Sequence, residues 1–196
     1  YAKRDRILAS KATVEEIYNE GKDELYKWRR VGDVENWTQL NLPSVKELKK
    51  NGRIEIATPT IARGNTAAEA MDILRAAVGV DPGGNRTITT PLGDAVIDDQ
   101  WLEHIIEKRH DARERYAHLI IPTLERPTEI WLAPYGDEWR RRYIKVFSGP
   151  KYDLLVVVKT LPNGEVVWNV ITMEAKSLDK HRQGKLLWRE YPSAGV

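Results

Sequence analysis

Four runs of β-forming residues follow one another between residues 128 and 172: Thr128-Glu-Ile-Trp-Leu132, Trp139-Arg-Arg-Arg-Tyr-Ile-Lys-Val-Phe147, Tyr152-Asp-Leu-Leu-Val-Val-Val-Lys159 and Val166-Val-Trp-Asn-Val-Ile-Thr172. Short segments containing Gly, Pro, Asn and Ser separate them. Among these segments, Asn163-Gly164 is a strong signal for a two-residue hairpin turn. Short apolar and aromatic runs joined by such turns predict a four-stranded antiparallel meander.

The residues before the meander show helical rather than strand periodicity. Predicted helices cover residues 12–30, 44–50 (capped by Ser44), 66–78 (begun by Asn65 or Thr66 and ended by Gly79) and 98–118 (capped by Asp98 or Asp99). Two short strands are predicted near Thr87–Thr90 and Ala95–Ile97. Helices followed by antiparallel strands indicate an α+β fold with the helices packed on one face of the sheet. We expect residues 1–54 to form a helical N-terminal extension and residues 55–196 to form the main domain.

Composition excludes several kinds of site. The 196 residues include no Cys, which rules out disulfides, thiolate catalysis and Cys-ligated zinc. There is no His-Glu-x-x-His motif, so we expect no metal site. Apolar residues make up 41% of the chain and no apolar run is long enough to cross a membrane. The net charge of +2 is small, so the position of the charges matters more than their sum.

The second β run carries a concentrated group of cations. Strand alternation places Arg142, Ile144 and Val146 on one face, and Arg141, Tyr143, Lys145 and Phe147 on the other. The second set combines an aromatic ring with two cations, which is a plausible cradle for phosphate. The alternative is an edge strand whose charges prevent aggregation. The pattern alone leaves both interpretations open.

Histidines and one carboxylate supply candidate proton-transfer groups. His104, Lys108 and Arg115 are spaced to lie on one stripe of a helix, which is either a solvated face or a site with His104 as general acid or base. Glu129 shares a strand face with Trp131, and is either a general base or the ion-pair partner of a neighbouring Arg. The basic segment from Lys176 to Lys185 is either a solvated end or a set of phosphate contacts in which His181 is a second acid or base.

Several short motifs in order resemble a known family: Thr90-Pro-Leu-Gly-Asp-Ala-Val-Ile-Asp98, Glu103-His-Ile-Ile-Glu-Lys-Arg109, Ala112-Arg-Glu-Arg-Tyr-Ala117, Pro122-Thr-Leu124, Glu129-Ile-Trp131, Arg141-Arg-Tyr-Ile-Lys-Val-Phe147, Leu154-Leu-Val-Val-Val158, Trp168-Asn169 and Leu178-Asp-Lys-His-Arg-Gln-Gly184. Together these motifs, over about residues 55–190, resemble the phage-type barnase/EndoU/colicin/RelE-like nuclease domain. That domain occurs at the end of Mu-like phage head morphogenesis proteins and in polymorphic toxins. The first residue, Tyr1, fits the expectation that this chain is the end of a longer polypeptide.

The resemblance implies a metal-independent endoribonuclease toxin domain that needs no cofactor. Its motifs match His104 and Lys108 on the helix and Arg142, Tyr143 and Lys145 on the strand, and with Glu129 these are the expected catalytic residues. The expected RNA-binding residues are Arg115, Arg141, Trp168, Lys180, His181, Arg182 and Lys185. In the expected reaction, a base deprotonates the RNA 2′-OH, cations stabilise the phosphoryl oxygens, and an acid protonates the 5′-oxygen.

The expected partners are an RNA substrate, for which tRNA is one candidate, and an immunity protein or antitoxin, with no membrane. The expected site of action is the bacterial cytoplasm, reached from a phage particle or as a secreted effector. The alternative is a catalytically inactive RNA-binding or virion structural module of a phage head protein. A third interpretation is a partner-binding module whose Trp-rich sheet edge docks an immunity protein.

Overall fold

A computed structural model describes residues 34–51, 59–135, 138–148, 152–161 and 164–192. The strands are β1 (Glu35–Asn36), β2 (Asn85–Thr90), β3 (Gly93–Asp98), β4 (Glu129–Tyr135), β5 (Glu138–Lys145), β6 (Tyr152–Leu161), β7 (Gly164–Glu174) and β8 (Gln183–Arg189). The α-helices are α1 (Val45–Asn51), α2 (Ala67–Val78), α3 (Asp99–Ile106), α4 (Ile120–Glu125) and α5 (Ala175–Asp179). Two 3₁₀ helices cover Arg109–Asp111 and Arg113–Leu119. The helix predicted over residues 12–30 lies outside the described residues.

The strands form one eight-stranded sheet in the order β1-β8-β4-β5-β6-β7-β3-β2. The predicted meander is confirmed, because β4, β5, β6 and β7 are consecutive antiparallel neighbours. The β2–β3 hairpin joins β7 through a parallel contact, and β8 pairs with β4 on the other side. The fold class is therefore α+β, and the sheet extends beyond the meander at both edges.

The main hydrophobic core lies on one face of the sheet, which we call the helix-covered face. Helices α2, α3 and α4 pack there against side chains from the centre of the sheet. The buried core residues include Leu74, Leu102, Ile105, Ile120, Leu124, Ile130, Tyr143, Phe147, Val158 and Val170. This packing supplies the main apolar burial of the domain.

A second, smaller core lies on the opposite face, which we call the second face. Val45 and Leu48 of α1 and Leu178 of α5 pack there against Trp131 and Ile144 of the central strands. The expectation that the helices lie on one face is therefore wrong, because α1 and α5 cover part of the other. These contacts, with the pairing of β1 and β8, attach the described part of the N-terminal segment to the sheet.

Local capping explains where several helices begin and end. Thr66 accepts a hydrogen bond from the Glu69 amide at the start of α2, and Gly79 ends that helix in the left-handed conformation. Asp98 caps α3 through the Gln100 amide. Ser44 accepts from the Glu47 amide at the start of α1. These boundaries confirm the capping predictions.

The third predicted helix is shorter than expected. It ends at Ile106, and residues up to His118 continue as two 3₁₀ helices around Ala112, whose φ is 44°. Side-chain contacts stabilise the break, since Arg109 bonds to Glu114 at 3.0 Å and Arg113 to Asp111 at 2.9 Å. His104, Lys108 and Arg115 therefore do not share a helical stripe. After Leu119 the chain continues as α4, and Pro122 lies in the first turn of that helix, where its missing N–H is tolerated.

Helices long and apolar enough to cross a membrane do not occur in the described part of the chain.

Candidate functional site

One half of the second face carries polar side chains instead of a hydrophobic core. Tyr135 follows Trp131 at alternating positions of β4, and Glu138, Arg140 and Arg142 alternate along β5, so these side chains share the second face. Lys159 of β6 lies directly opposite Arg140 in the antiparallel register. We call Tyr135, Glu138, Arg140, Arg142 and Lys159 the sheet-face cluster.

Glu138 is the carboxylate of the sheet-face cluster and contacts two of its cations. Arg140 Nε donates to Glu138 Oε1 at 2.9 Å, and Lys159 Nζ lies 3.3 Å from Oε2. The Arg140 and Lys159 side chains are 20% exposed and that of Glu138 is 13% exposed. The three charges are thus held in fixed positions and remain accessible to a ligand from solvent.

Arg142 is held by an aromatic ring and a main-chain carbonyl. Its Nε donates to the Tyr135 hydroxyl at 2.7 Å, and its Nη1 donates to the carbonyl of His181 at 2.8 Å. The guanidinium carbons of Arg140 and Arg142 lie 4.7 and 4.8 Å from the Tyr135 ring centroid. Burial, followed by the charges of Arg142 and Lys180, lowers the pKa of His181.

Three aromatic side chains form a second group beside the cluster. Trp168 of β7 stacks on His104 of α3, with ring centroids 4.3 Å apart, and contacts Trp101 at 5.1 Å. The His104 ring is also stacked with the Trp101 ring, and their centroids are 6.1 Å apart. We call Trp101, His104 and Trp168 the aromatic platform. All three residues are partly exposed.

Cations of the sheet-face cluster contact the aromatic platform. The Lys159 ammonium lies 4.3 Å from the Trp168 ring centroid, and the Arg140 guanidinium lies 5.8 Å from it. His104 Nδ1 is 2.8 Å from Glu107 Oε1. Three cations, a carboxylate and an imidazole therefore meet on one surface. This combination can bind a phosphate group and move protons to and from it.

Some of the residues expected from sequence lie at this surface. Arg142 belongs to the sheet-face cluster, and His104 and Trp168 belong to the aromatic platform. His181 touches the cluster through its carbonyl, which accepts from Arg142.

Glu129 and Arg182 lie elsewhere and are fully buried. Arg182 donates to both Glu129 oxygens, and Trp131 Nε1 donates to Glu129 Oε2 at 2.7 Å. Tyr191 OH also donates to this carboxylate, and burial raises the pKa of Tyr191. Of the two interpretations of Glu129, the ion pair fits the structure. The roles expected for Glu129 in catalysis and for Arg182 in RNA contact do not fit side chains without solvent access.

Three more expected residues lie on the helix-covered face. The Tyr143 hydroxyl is 3.1 Å from that of Thr90, and Lys145 Nζ donates to the Arg126 carbonyl at 2.6 Å. Arg141 is buried near Glu165. The expected phosphate cradle of Arg141, Tyr143 and Lys145 is therefore wrong, because helices cover that face of β5. The alternation of side chains along β5 assigned each residue to the correct group of the two faces. It could not indicate which of the two faces the helices would cover.

The remaining expected residues are scattered. Lys108 and Lys180 are exposed, and Lys185 of β8 is buried. Arg115 Nη2 donates to Thr60 at 3.1 Å, at the segment that precedes α2. The structure does not bring these four side chains to the sheet-face cluster.

Sequence reasoning missed Tyr135, Glu138, Arg140, Lys159 and Trp101. A signal existed for two of them, since strand alternation places Glu138 and Arg140 on the same face as Arg142. Lys159 lies at this surface because of the register between β5 and β6, and Trp101 lies there because of how α3 packs against the sheet. The sequence pattern of a single strand reveals neither.

Among the described residues, no group of three or more His, Asp or Glu side chains is arranged to hold a metal ion.

Comparison with known proteins adds one match. Residues 73–189, more than half of the chain, match the family described as phage-Barnase-EndoU-ColicinE5/D-RelE like nuclease2. The chain matches no curated protein and no solved structure. The matched range contains α3 and strands β2 to β8, and so includes every residue of the sheet-face cluster and of the aromatic platform. Because this match covers more than half of the chain, the chain belongs to the phage-Barnase-EndoU-ColicinE5/D-RelE like nuclease family.

Proposed function

We propose that this nuclease domain is an endoribonuclease that cleaves RNA at the sheet-face cluster without a metal ion. The observation that carries the proposal is the contact of one carboxylate, Glu138, with Arg140 and Lys159 on a partly exposed sheet face. Arg142 shares the Tyr135 ring with Arg140, and His104 shares the Trp168 ring with Lys159. A nuclease family implies a nucleic acid substrate, and this set of groups suits attack by a ribose 2′-OH.

Glu138 is proposed as the general base. It takes the proton of the 2′-OH, and the 2′-oxygen forms a bond to the adjacent phosphorus. Arg140, Arg142 and Lys159 stabilise the negative charge that grows on the phosphoryl oxygens. Removal of one preorganised donor to such developing charge typically lowers the rate by about 100- to 1,000-fold.

His104 is proposed as the general acid. As the bond from phosphorus to the 5′-oxygen breaks, His104 gives its proton to that oxygen. Glu107 binds Nδ1, so Nε2 is the nitrogen proposed to face the substrate. The products are a 2′,3′-cyclic phosphate and a 5′-OH. Of the expected catalytic residues, this mechanism retains His104 and Arg142 and replaces Glu129 with Glu138.

The test compares an RNA oligonucleotide with versions of the same sequence made of DNA and of 2′-O-methyl RNA, all in EDTA. We expect cleavage of RNA alone, with cyclic phosphate ends. Cleavage that requires Mg²⁺ or Zn²⁺, or equal cleavage of DNA, would contradict the proposal. Salt-dependent RNA binding without cleavage would favour the inactive RNA-binding module.

We also propose that the domain acts as a toxin in the bacterial cytoplasm, with tRNA as one candidate target. Arg140 and Lys159, the partly exposed cations of the cluster, would suit an acidic immunity protein that covers the site. The proposal includes delivery of the domain to the target cell, either on a phage particle or as a secreted effector. Induced expression of the wild type and of Glu138→Gln in bacteria, with sequencing of new RNA ends, tests it. Equal growth of both strains, with no new ends, would contradict it.

A further inference from the structure

The described part of the N-terminal segment lies across one half of the second face. We call residues 34–51, which contain β1 and α1, the N-terminal cover. Its side chains Leu42, Val45 and Leu48 are buried against the central strands. The family match begins at residue 73, so the cover lies outside the matched range. Membership of the nuclease family therefore does not account for the cover.

The N-terminal cover begins directly beside the sheet-face cluster. Arg142 of the cluster and Trp131 are opposite each other in the antiparallel register of β4 and β5. Trp131 is completely buried in the core under the cover, whereas the side chain of Arg140, the next residue of β5 on this face, is 20% exposed. A nucleic acid chain that binds Arg140 and continues along these strands past Arg142 therefore meets the cover.

Charged groups lie under the N-terminal cover. Arg182 and Glu129 form a completely buried ion pair there. The cover itself supplies two contacts to Arg182, because Nη1 donates to the Pro43 carbonyl at 2.8 Å and the guanidinium lies 5.2 Å from the Trp37 ring centroid. Apolar side chains of similar volume usually stabilise such a buried position as well or better. A guanidinium at this position therefore indicates a role in which its charge becomes accessible.

The described contacts of the N-terminal cover with the sheet are short. β1 pairs with β8 through Glu35 and Asn36. The Trp37 amide donates to the Arg182 carbonyl at 3.0 Å, and the Val45 amide donates to Asp179 Oδ1 at 3.1 Å. A segment held by a two-residue strand and a small apolar surface opens at a lower free energy than the main core. The cover is thus suited to open while the main core stays folded.

We infer that the N-terminal cover is autoinhibitory, and that its release lets a nucleic acid bound at the sheet-face cluster extend along β4 and β5 to Arg182. The inference rests on the proposed function, because it takes the sheet-face cluster as the nucleic acid site. In the closed state no ligand can reach the Arg182 guanidinium. When the cover leaves, Arg182 loses the Pro43 carbonyl and the Trp37 ring, and a phosphate can take their place.

Amide hydrogen exchange of the full chain, with and without a 2′-O-methyl RNA oligonucleotide, tests the link between binding and release. This ligand has no free 2′-OH, so it reports binding whether or not the protein cleaves RNA. A ligand that prefers the open cover must shift the cover toward opening. We expect saturating RNA to speed exchange in residues 44–48 by about 5- to 150-fold, although a bound ligand ordinarily slows exchange. Unchanged or slower exchange there would overturn the inference.

A disulfide that locks the N-terminal cover provides a second test. Asn36 and Gln183 are opposite each other in the β1–β8 pair, and the chain contains no Cys. Opposite residues of an antiparallel pair have Cα atoms about 4.5–5.5 Å apart, a distance that a disulfide can span. The test variant is Asn36→Cys/Gln183→Cys, and its reduced form is the matched control for its oxidised form.

The oxidised form should bind the 2′-O-methyl RNA at least about 5-fold more weakly than the reduced form. The slope of log K against log salt should be smaller by about 0.7 in the oxidised form, the amount expected for one lost phosphate contact to a single strand. Equal affinity and equal slope in the two forms would overturn the inference.

Leu48→Ala tests the opposite direction. Loss of this buried side chain should raise the ratio of open to closed cover by about 30-fold or more and so tighten RNA binding. Lys46→Ala, at an exposed position of the same helix, is the matched control and should bind RNA as the wild type does. Thermal unfolding checks that the main core of each variant is folded. Unchanged or weaker binding by folded Leu48→Ala would contradict the inference.

The lock also separates this inference from the proposed function. If the oxidised and reduced forms differ in RNA affinity but neither cleaves unmodified RNA, the proposed function fails while this inference stands. If the wild type cleaves RNA in EDTA and the lock changes neither binding nor cleavage, the inference fails while the proposed function stands.

Discussion

Arg182 donates to both oxygens of Glu129, at 2.5 and 2.8 Å, and both side chains are completely buried. Arg182 Nη1 also donates to the Pro43 carbonyl and to Asp179 Oδ1, each at 2.8 Å. The pair therefore connects β4, the start of β8, α5 and the segment before α1. A buried charge requires a partner, so this ion pair helps to hold the N-terminal segment on the second face.

Glu129→Gln should lower the free energy of unfolding by up to about 3–5 kcal/mol, because it removes the fully buried carboxylate that binds Arg182 and leaves the ion pair with Asp179 to compensate the buried guanidinium. Urea unfolding at neutral pH measures the change. Exposed Glu35 on β1, changed to Gln, is the control and should shift stability by less than about 0.5 kcal/mol. An unchanged urea midpoint in Glu129→Gln would contradict the structural role of the pair.

Gly184→Ala should destabilise the sheet. Gly184 has φ of 119°, and a Cβ there would lie 2.1 Å from the Leu132 carbonyl oxygen on β4. The clash and the backbone strain together should lower stability by at least about 2 kcal/mol. Gly83→Ala is the matched control: its φ is 73° but a Cβ meets nothing within 4 Å, so only about 1 kcal/mol is expected. Equal losses in the two variants would show that the contact with Leu132 is unimportant.

The stability contributed by Asp99 should disappear in acid. Arg75 Nε donates to Asp99 Oδ1 at 2.7 Å and the Gly83 amide donates to Oδ2 at 2.8 Å. The hydrogen bonds from Arg75 are the main cause of the lowered pKa of Asp99. A lowered carboxyl pKa stabilises the folded state above the ordinary value, near pH 4, and the contribution is lost as pH falls below it.

Asp99→Asn should therefore be less stable than the wild type at pH 7, and the difference should shrink as pH falls from about 4 to 2. Chemical denaturation across this pH range measures it. A constant difference at every pH would mean that the charge of Asp99 contributes no stability.

Arg142→Lys should reduce RNA cleavage by about 10-fold or more, although the charge is kept. The guanidinium bonds in two directions, to Tyr135 and to the His181 carbonyl, and a lysine ammonium cannot reproduce that geometry. Initial rates under saturating RNA measure the effect. The control is Lys46→Arg, which should cleave at the wild-type rate; an equally active Arg142→Lys would remove Arg142 from the proposed site.

The sequence predicted the meander, the helix caps and the division of β5 into two faces, because these depend on local patterns. It did not predict the break after Ile106, since residues 107–118 contain no Gly or Pro and Ala112 rarely adopts positive φ. Glu129 and Glu138 lie on the same face of the sheet, and they differ because α1 and α5 cover the part of that face around Glu129. Periodicity within one strand contains no information on this long-range packing.

The aromatic platform shows the same limit. Trp168 could be named as a nucleic-acid contact from its type, but its partners are distant in sequence. Trp101 and His104 reach it because α3 docks beside β7, and the bulge before Asn169 turns it toward them. Neither the docking nor the bulge has a local sequence signal.

The proposed cleavage site at the sheet-face cluster is tested most directly by single-turnover cleavage of an RNA oligonucleotide in EDTA with wild type, Glu138→Gln and Glu35→Gln. Removing a general base should lower the rate of Glu138→Gln by about 100-fold or more, with RNA affinity changed little. Glu35→Gln should match the wild type. If folded Glu138→Gln cleaves RNA at the wild-type rate, Glu138 is not the base and the cluster is not the site of cleavage.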